Sequence, residues 1–241
     1  QTVQETISFL REQESYGRIY GGREDIQHRG QVEELIYHSI QEDYRKLYRF
    51  CNEGQRRAME LYLPQLQSGD MSSAVDVSYF VQIWKDAGDF SDKKMRHILR
   101  EIFGTQIDWL NIIWIYRARH FFHQKPESVR EIIIPVYYKL RKEEMEQLFS
   151  AEYTEEFQHI LGNTVYYRGK EALVRIEDEV SYHHVMGKMY RQVCRRHPFS
   201  MAPVFYYFYL KDLEISHLTT ALEGIRYQLP SKDIRDMILI V

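Results

Sequence analysis

The chain has 241 residues, of which 44% are hydrophobic and 28% charged; this is typical of a folded globular protein and excludes an intrinsically disordered one. The formal net charge of -3 lacks the basic excess of most nucleic-acid-binding proteins, although a local basic face around Arg191, Arg195 and Arg196 stays open. No apolar run reaches the roughly 18–20 residues that span a bilayer, since the most apolar stretch, Met201 to Leu210, is about half that length and contains Pro203.

Helical periodicity begins near residue 32 and recurs along most of the chain. The first clear stripe has apolar residues three and four positions apart, and polar residues fill the opposite side. Its members are Val32, Leu35, Ile36, Ile40, Tyr44, Leu47 and Tyr48. Glycine and proline are scarce and aromatic residues are common, which favours long helices with bulky packing faces.

The stretch from Ser91 to Gly104 has the signals of one complete helix. Ser91 is placed to cap its first turn, and Gly104 suits a left-handed C-terminal cap. We expect a second helix from about Gln106 to Phe122. The sequence therefore predicts a helix boundary at Gly104.

After residue 122 the pattern is interrupted by prolines. Pro126 is expected to stop the preceding helix, and Ser128 with Glu131 has capping-box spacing for the next one. Pro135 predicts a break or a kink. Beyond it the apolar face continues with Leu140, Met145, Leu148 and Phe149, and Thr154 starts a short helix that ends at Gly162.

The C-terminal third predicts three more helices. The first has its apolar steps between Tyr182 and Val193 and ends at Pro198. Ser200 then starts a long helix, and Pro230 with Ser231 begins a final short one. Only Ala172 to Ile176 reads as a strand, and it is too short and isolated to build a sheet.

Two of the predicted helices resemble each other without a gap. Asp108 to Arg119 aligns with Glu214 to Ile225, with acid on acid, polar on polar and small on small. The pairs are Asp108 with Glu214, Asn111 with His217, Ile112 with Leu218, Ile115 with Ala221 and Ala118 with Gly224. Each block is followed by a proline and a new helix, which indicates a repeat architecture.

Signatures of nucleotide binding and nucleophilic catalysis are missing from the sequence. The glycines Gly17, Gly21 and Gly22 lack the lysine and the strand of a phosphate-binding loop. Cys51 and Cys194 are far apart and match no nucleophile motif, so they favour a reducing, cytosolic setting. The acid pairs Glu143–Glu144 and Glu155–Glu156 lie at predicted helix starts, where the helix dipole accounts for them. We therefore predict no catalytic and no cofactor-binding residue.

One group of residues has metal-ligand chemistry. Cys194 and His197 are one helical turn apart, but His183 and His184 lie about three turns away on the same predicted helix. That distance argues against a shared zinc ion, and we predict no metal site. A metal-dependent helical enzyme that uses His183, Cys194 and His197 is the least favoured hypothesis.

Three polar residues and one aromatic run stand out in otherwise apolar helices. Asp108 is expected near a helix N-terminus, Asn111 could bond a neighbouring helix, and Arg117 could pair or reach solvent. For these three residues a structural role is preferred over contact with a partner protein, and a catalytic role is the least favoured. The run Phe205–Tyr209 covers every side of its helix, which favours packing on two sides, with tyrosine hydroxyls facing a partner as the alternative.

Three runs of the sequence, in this order, resemble the C-subunit family of V-type ATPases, whose eukaryotic members are called the d subunit. They are HRGQVEELIYHSIQEDYRKLYRF (His28 to Phe50), FGTQIDWLNIIWIYRARHFF (Phe103 to Phe122) and YFYLKDLEISHLTTALEGIRYQLPSKDIRDMI (Tyr207 to Ile238). The residues that fit the repeated family pattern are Asp108, Asn111, Arg117, Glu214, Leu218 and Arg226. The chain departs from it after Leu61, where PQLQSGDMSS replaces an expected repeat helix.

The resemblance implies an all-α fold, a funnel-like array of pseudo-repeated helical bundles. We expect a single helical repeat domain over residues 1–241, with approximate units 1–75, 76–165 and 166–241, the first of them incomplete. It also implies a non-catalytic rotor subunit at the cytoplasmic face of the membrane. Its partners would be the central-shaft subunits and the membrane rotor ring, with no nucleic acid and no membrane span of its own.

A helical-repeat scaffold for some other protein partner remains the alternative, because it shares the fold class and differs only in what it binds. Individual partner-binding residues do not follow from the sequence. Neither does the ion, proton or sodium, that the parent machine would transport.

Overall fold

The computed structural model describes residues 2–20, 29–63, 77–167 and 179–238. Across these ranges the chain forms helices and no β-strand, which confirms the all-α fold class. In the same ranges no helix is both long and apolar enough to cross a bilayer. The possible strand at 172–176 lies outside the described residues.

The helices belong to two compact units, one of which combines the two ends of the sequence. Unit 1 comprises Gln1–Gly69 and Val204–Val241, and unit 2 comprises Asp70–Pro203. The funnel and the three repeat units with boundaries near residues 75 and 165 stay a prediction.

Unit 1 is built around two long helices, α3 and α11. Its helices are α1 (Val3–Glu12), α2 (Glu14–Tyr20), α3 (Arg29–Tyr48), α4 (Glu53–Tyr62), α11 (Ala202–Arg226, from Val204 onward) and α12 (Ser231–Ile238). The predicted stripe of α3 is buried at Val32, Leu35, Ile36 and Ile40. Aromatic rings then join the helices, as Tyr62 of α4 packs on Phe205 of α11 with ring centroids 4.9 Å apart.

Unit 2 is built around one buried helix. Its helices are α5 (Val77–Gly88), α6 (Lys93–Tyr116), α7 (Pro126–Ile132), α8 (Lys142–Ser150), α9 (Thr154–Asn163) and α10 (Glu179–Arg196). In α6, 17 of the 24 residues are buried, so the other helices must pack around it on several sides. A π-helical turn, Arg117–Phe121, continues α6 at its C-terminal end.

The predicted helix boundary at Gly104 is wrong. Gly104 lies inside α6, where a Cβ atom would come within 2.4 Å of Cγ of Tyr138. The glycine is therefore needed for the close approach of an aromatic ring rather than for a turn. The cap at the other end is Asp92, whose carboxylate accepts from the N–H groups of Lys94 and Met95, and not the predicted Ser91.

The start of α7 also differs from the prediction. Pro126 is its first residue, where a missing N–H costs nothing, and no side chain caps the helix. Ser128 and Glu131 lie inside α7 and form no capping box. The break predicted at Pro135 is confirmed, because residues 133–141 are not helical and lead irregularly into α8. We call residues 133–141 the α7–α8 segment.

Candidate functional site

The conspicuous polar residues of unit 2 fasten the α7–α8 segment to α6. Asp108 lies in the middle of α6 rather than near its N-terminus, and it is 1% exposed. Its Oδ1 accepts from the backbone N–H of Tyr138 at 3.2 Å. Its Oδ2 accepts from the backbone N–H groups of Lys139 at 2.8 Å and Leu140 at 3.0 Å. One carboxylate thus satisfies three successive backbone amides that have no helix of their own.

A fourth donor completes the surroundings of Asp108. The Tyr166 hydroxyl donates to Oδ2 at 2.7 Å. Burial, followed by the adjacent Asp108 carboxylate, raises the pKa of Tyr166 well above its ordinary value, so this phenol stays protonated and remains a donor. Burial also raises the pKa of Asp108, although its four donors oppose that rise. Because every donor points at the carboxylate, the group acts as an acceptor for the fold and not as a free acid or base.

Asn111, one turn further along α6, binds the same segment at Ile134. Its Nδ2 donates to the Ile134 carbonyl and its Oδ1 accepts from the Ile134 N–H, both at 2.9 Å. Asn111 is fully buried, so these two bonds are the ones that offset its desolvation. The structural role expected for Asn111 is confirmed. Its partner, however, is the α7–α8 segment and not a neighbouring helix.

Glu101 is a buried carboxylate that the sequence analysis missed. Its Oε1 accepts from Arg196 at 2.7 Å and Lys139 at 3.3 Å, and its Oε2 lies 3.8 Å from Nε2 of His97. Burial opposes ionisation of Glu101, but hydrogen bonds and charges from Arg196 and Lys139 outweigh it and lower its pKa. The sequence contained a signal for the burial of Glu101, because this residue lies three positions after Ile98, on the predicted apolar face.

The remaining predicted polar residues are not gathered into a reactive site. Glu144 accepts from the backbone N–H of Arg141 at 2.8 Å, and Glu156 accepts from that of Glu152 at 3.0 Å, so both serve helix starts. Arg117 begins the π-helical turn. Among the described residues, no hydrogen bond or ion pair joins Arg117 to Asp108 or Asn111. The acids that the dipole argument assigned to helix starts are indeed there, in the first turns of α8 and α9.

The potential zinc ligands on and after α10 do not converge. His183 and Cys194 are eleven residues apart on one helix, which separates them by about 16 Å. His184 is exposed, and the ring of His197 faces His97 with centroids 6.0 Å apart. Within the described ranges no three histidine, cysteine or acidic side chains form a group that could hold a metal ion.

Exposed aromatic side chains lie in the π-helical turn, just after it, and just before α9. Phe121 and Phe122 are 55% and 71% exposed, and Tyr153, next to the first residue of α9, is 69% exposed. The His120 ring contacts Phe157 of α9 with centroids 5.6 Å apart, which holds the two elements together. We call Phe121, Phe122 and Tyr153 the aromatic edge. Exposed aromatic groups of this kind are typical of protein interfaces.

Comparison with known proteins gives a family for this architecture. The profile of the ATP synthase (C/AC39) subunit family matches residues 64–237, which is well over half of the chain. The chain belongs to the ATP synthase (C/AC39) subunit family. The match to this family includes both aligned helices, Asp108–Arg119 and Glu214–Ile225, whereas the run from His28 to Phe50 lies before it.

Two archaeal members of the C/AC39 family are similar to most of the chain. The C subunit of the A-type ATP synthase of Archaeoglobus fulgidus is 27% identical over an alignment of 187 residues, which covers 74% of this chain and 52% of that protein. The protein of the same name from Methanosphaera stadtmanae is 25% identical over an alignment of 181 residues, which covers 70% of this chain and 46% of that protein. The chain thus spans about half the length of these relatives. No solved structure gives a significant match.

Proposed function

We propose that this chain is a non-catalytic central-stalk subunit of a V-type or A-type rotary ATPase. It would link the membrane rotor ring to the central shaft for ATP-coupled proton or sodium transport. The family match over residues 64–237 carries this proposal. The names of the two archaeal relatives, both C subunits of A-type ATP synthases, support it.

The chemistry of unit 2 is consistent with a part that transmits force. Asp108, Asn111 and Glu101 are all engaged in bonds that hold secondary structure together. A close-packed helical body has low compressibility and passes strain on to its neighbours. A rotor linker needs that property and large protein interfaces instead of a reactive cleft.

The proposed partners are the central-shaft subunits and the membrane rotor ring, at the cytoplasmic face of the membrane. In such a role the chain would be held at the membrane through protein contacts. The aromatic edge is the surface of unit 2 that we propose for a protein partner, because each of its three large side chains is exposed.

Binding to the two proposed partners tests this function directly. The purified chain would be mixed separately with the stalk subunits and with the detergent-solubilised rotor ring, and each affinity measured. We expect binding to both at moderate salt. Binding to neither, by protein with an intact helical circular-dichroism spectrum, would contradict the rotor role and leave a helical scaffold for another partner.

A further inference from the structure

One side of α10 has only positive charges. Lys188, Arg191 and Arg195 are three and four positions apart, which places them on the same side of the helix. Lys188 and Arg195 are exposed, and Arg191 is partly buried. Between residues 182 and 196 the sequence has no acidic residue, although the whole chain has 35 acids and a net charge of -3. We call Lys188, Arg191 and Arg195 the basic stripe.

The basic stripe differs from several other exposed cations of the protein, which have acidic partners. Nζ of Lys46 lies 3.4 Å from Oδ1 of Asp43, and Nη2 of Arg130 lies 2.6 Å from Oε2 of Glu146. Within the described ranges, no ion pair includes a residue of the basic stripe. Its charges are therefore available to an anionic partner outside this part of the chain.

The beginning of α6 adds further basic groups beside the C-terminal end of α10. The ring of His97 faces that of His197, the residue directly after α10. Burial, followed by the charges of Lys94, His97 and Arg196, lowers the pKa of His197. The acid at this end is Glu101, which is buried and already paired with Arg196 at 2.7 Å. The exposed groups around His197 are thus mainly cationic.

A large apolar side chain is exposed just beyond the basic stripe. Phe199 is 96% exposed, and it follows Arg195 by four residues, so that their Cα atoms are at most about 14 Å apart. Hydrogen bonds fix the turn around it, because the Ser200 hydroxyl donates to the His197 carbonyl at 2.7 Å and accepts from the Ala202 N–H at 3.1 Å. The fold therefore holds Phe199 in an exposed position.

We propose that the basic stripe and Phe199 bind a membrane surface that contains anionic phospholipids. The lysine and the two arginines contact the negatively charged headgroups, and Phe199 enters the headgroup region. Each basic side chain close to an anionic bilayer strengthens binding by about fivefold. The phenylalanine adds affinity because its ring leaves water, as apolar side chains of peripheral membrane proteins do.

The combination of unpaired cations with one exposed phenylalanine favours a bilayer over other anionic partners. Proteins that bind single-stranded nucleic acids use a basic groove with several aromatic side chains for stacking, whereas here a single phenylalanine lies in a turn. A soluble polyanion would contact the cations and leave Phe199 in water. A bilayer satisfies both features, because anionic headgroups lie directly above an apolar layer.

Sedimentation of the full chain with lipid vesicles tests the proposal. Vesicles of phosphatidylcholine alone would be compared with vesicles that contain about one third phosphatidylserine. We expect binding to the anionic vesicles only, and at least tenfold weaker binding in about 0.5 M salt, which screens the charges. No binding to anionic vesicles, or equal binding to both kinds, would overturn the proposal. The vesicles contain no protein, so this result is independent of the proposed rotor role.

Two matched pairs of variants locate the binding surface. We expect Arg195→Glu and Phe199→Ser each to weaken binding to the anionic vesicles by at least fivefold. Lys232→Glu, at an exposed position of α12, makes the same change in net charge, and Phe122→Ser removes an exposed phenylalanine of the aromatic edge. Both controls should bind like the unchanged protein. Equal losses within either pair would overturn the proposal.

A fluorescent label at position 199 gives a second readout. Phe199→Cys would be made in a background with Cys51→Ser and Cys194→Ser and labelled with nitrobenzoxadiazole, whose emission rises in an apolar environment. We expect emission to rise with anionic vesicles and brominated lipids to quench it. Binding without either change would overturn the proposal, because only the cations would then be in contact. Displacement of the vesicles by a lower concentration of single-stranded RNA would also overturn it, since a nucleic acid would then be the preferred partner.

Discussion

At the scale of single residues, the polar side chains of α6 matter for what they hold in place. The sequence predicts that Asp108 lies near a helix N-terminus and that Asn111 bonds a neighbouring helix, with a structural role preferred over a partner surface. Their partners are backbone groups more than twenty residues later, in a segment with no periodicity. The polar residues on this face were visible in the sequence, but their bonds depend on how the α7–α8 segment folds back.

Replacement of Asn111 by alanine should destabilise unit 2. The change leaves the buried N–H of Ile134 without a partner, while the Ile134 carbonyl keeps only the bond from the Val136 N–H. This should cost about 1–3 kcal/mol. Urea unfolding followed by circular dichroism measures the loss. Asn163→Ala is the matched control, because Asn163 is exposed and bonds only to His159 of its own helix. Equal stabilities for the two variants would contradict the anchoring role of Asn111.

Asp212 should make the stability of unit 1 depend on pH. Burial raises the pKa of this carboxyl from its ordinary 3.8 to about 7, although a hydrogen bond from Tyr37 opposes the rise. Between about pH 4 and 7 the unfolded chain therefore loses this proton while the folded chain keeps it. The contribution of Asp212 to the free energy of unfolding therefore falls as the pH rises through that window, and it stays low at higher pH.

Substitution of Asp212 by asparagine removes that dependence. We expect the change in free energy of unfolding caused by Asp212→Asn to be about 1–3 kcal/mol more stabilising at pH 8 than at pH 4. Melting curves at both pH values measure this, with the exposed Asp233→Asn as control. A stabilisation that is the same at both pH values would show that the carboxyl is already ionised at low pH in the folded state.

At the scale of the helices, hydrophobic periodicity predicted where helices are and local signals misplaced some of their ends. The first four residues of the α3 stripe and the apolar face of α8 are buried as predicted. The remaining α3 stripe residues, Tyr44, Leu47 and Tyr48, are only partly buried, as is Val185 of the α10 face. The sequence predicts a helix end at Gly104 because glycine is common at helix C-termini. Only the position of Tyr138, which comes from a distant segment, reveals why α6 needs a residue without a side chain at that point.

Replacement of Gly104 by alanine should destabilise the protein despite the higher helix propensity of alanine. The new Cβ would lie within 3 Å of three Tyr138 atoms near the start of its side chain, so the ring or the segment must shift. We expect a net loss of about 1–3 kcal/mol. Gly30→Ala in α3 is the control: nothing lies within 4 Å of its Cβ position, so a gain of up to about 1 kcal/mol is expected.

At the scale of the whole molecule, the family match and the all-α architecture support the resemblance seen in the sequence. The sequence could not predict the aromatic edge, because Phe121, Phe122 and Tyr153 come from two elements and their exposure depends on how those elements pack. Nor did it indicate that one unit would join both ends of the chain. The three-unit repeat stays a prediction.

The aromatic edge should contribute to assembly and not to stability. Phe122→Ser is expected to weaken binding to the stalk subunits or to the rotor ring by about tenfold, while Tm changes by less than about 2 °C. Phe199→Ser provides the control, since Phe199 is 96% exposed and lies outside this surface. Equal losses of affinity for the two variants would mean that the aromatic edge has no special part in binding.

The composition of unit 1 from Gln1–Gly69 and Val204–Val241 has a consequence for biosynthesis. The apolar stripe of α3 leaves the ribosome long before the residues of α11 that share its unit, whereas unit 2 is contiguous and is translated in one stretch. At elongation rates of about 5–20 residues per second, this exposes the stripe for roughly ten seconds or more. Nascent chains should therefore bind chaperones through the region of Val32 to Ile40, and release them once the C-terminal helices have been made.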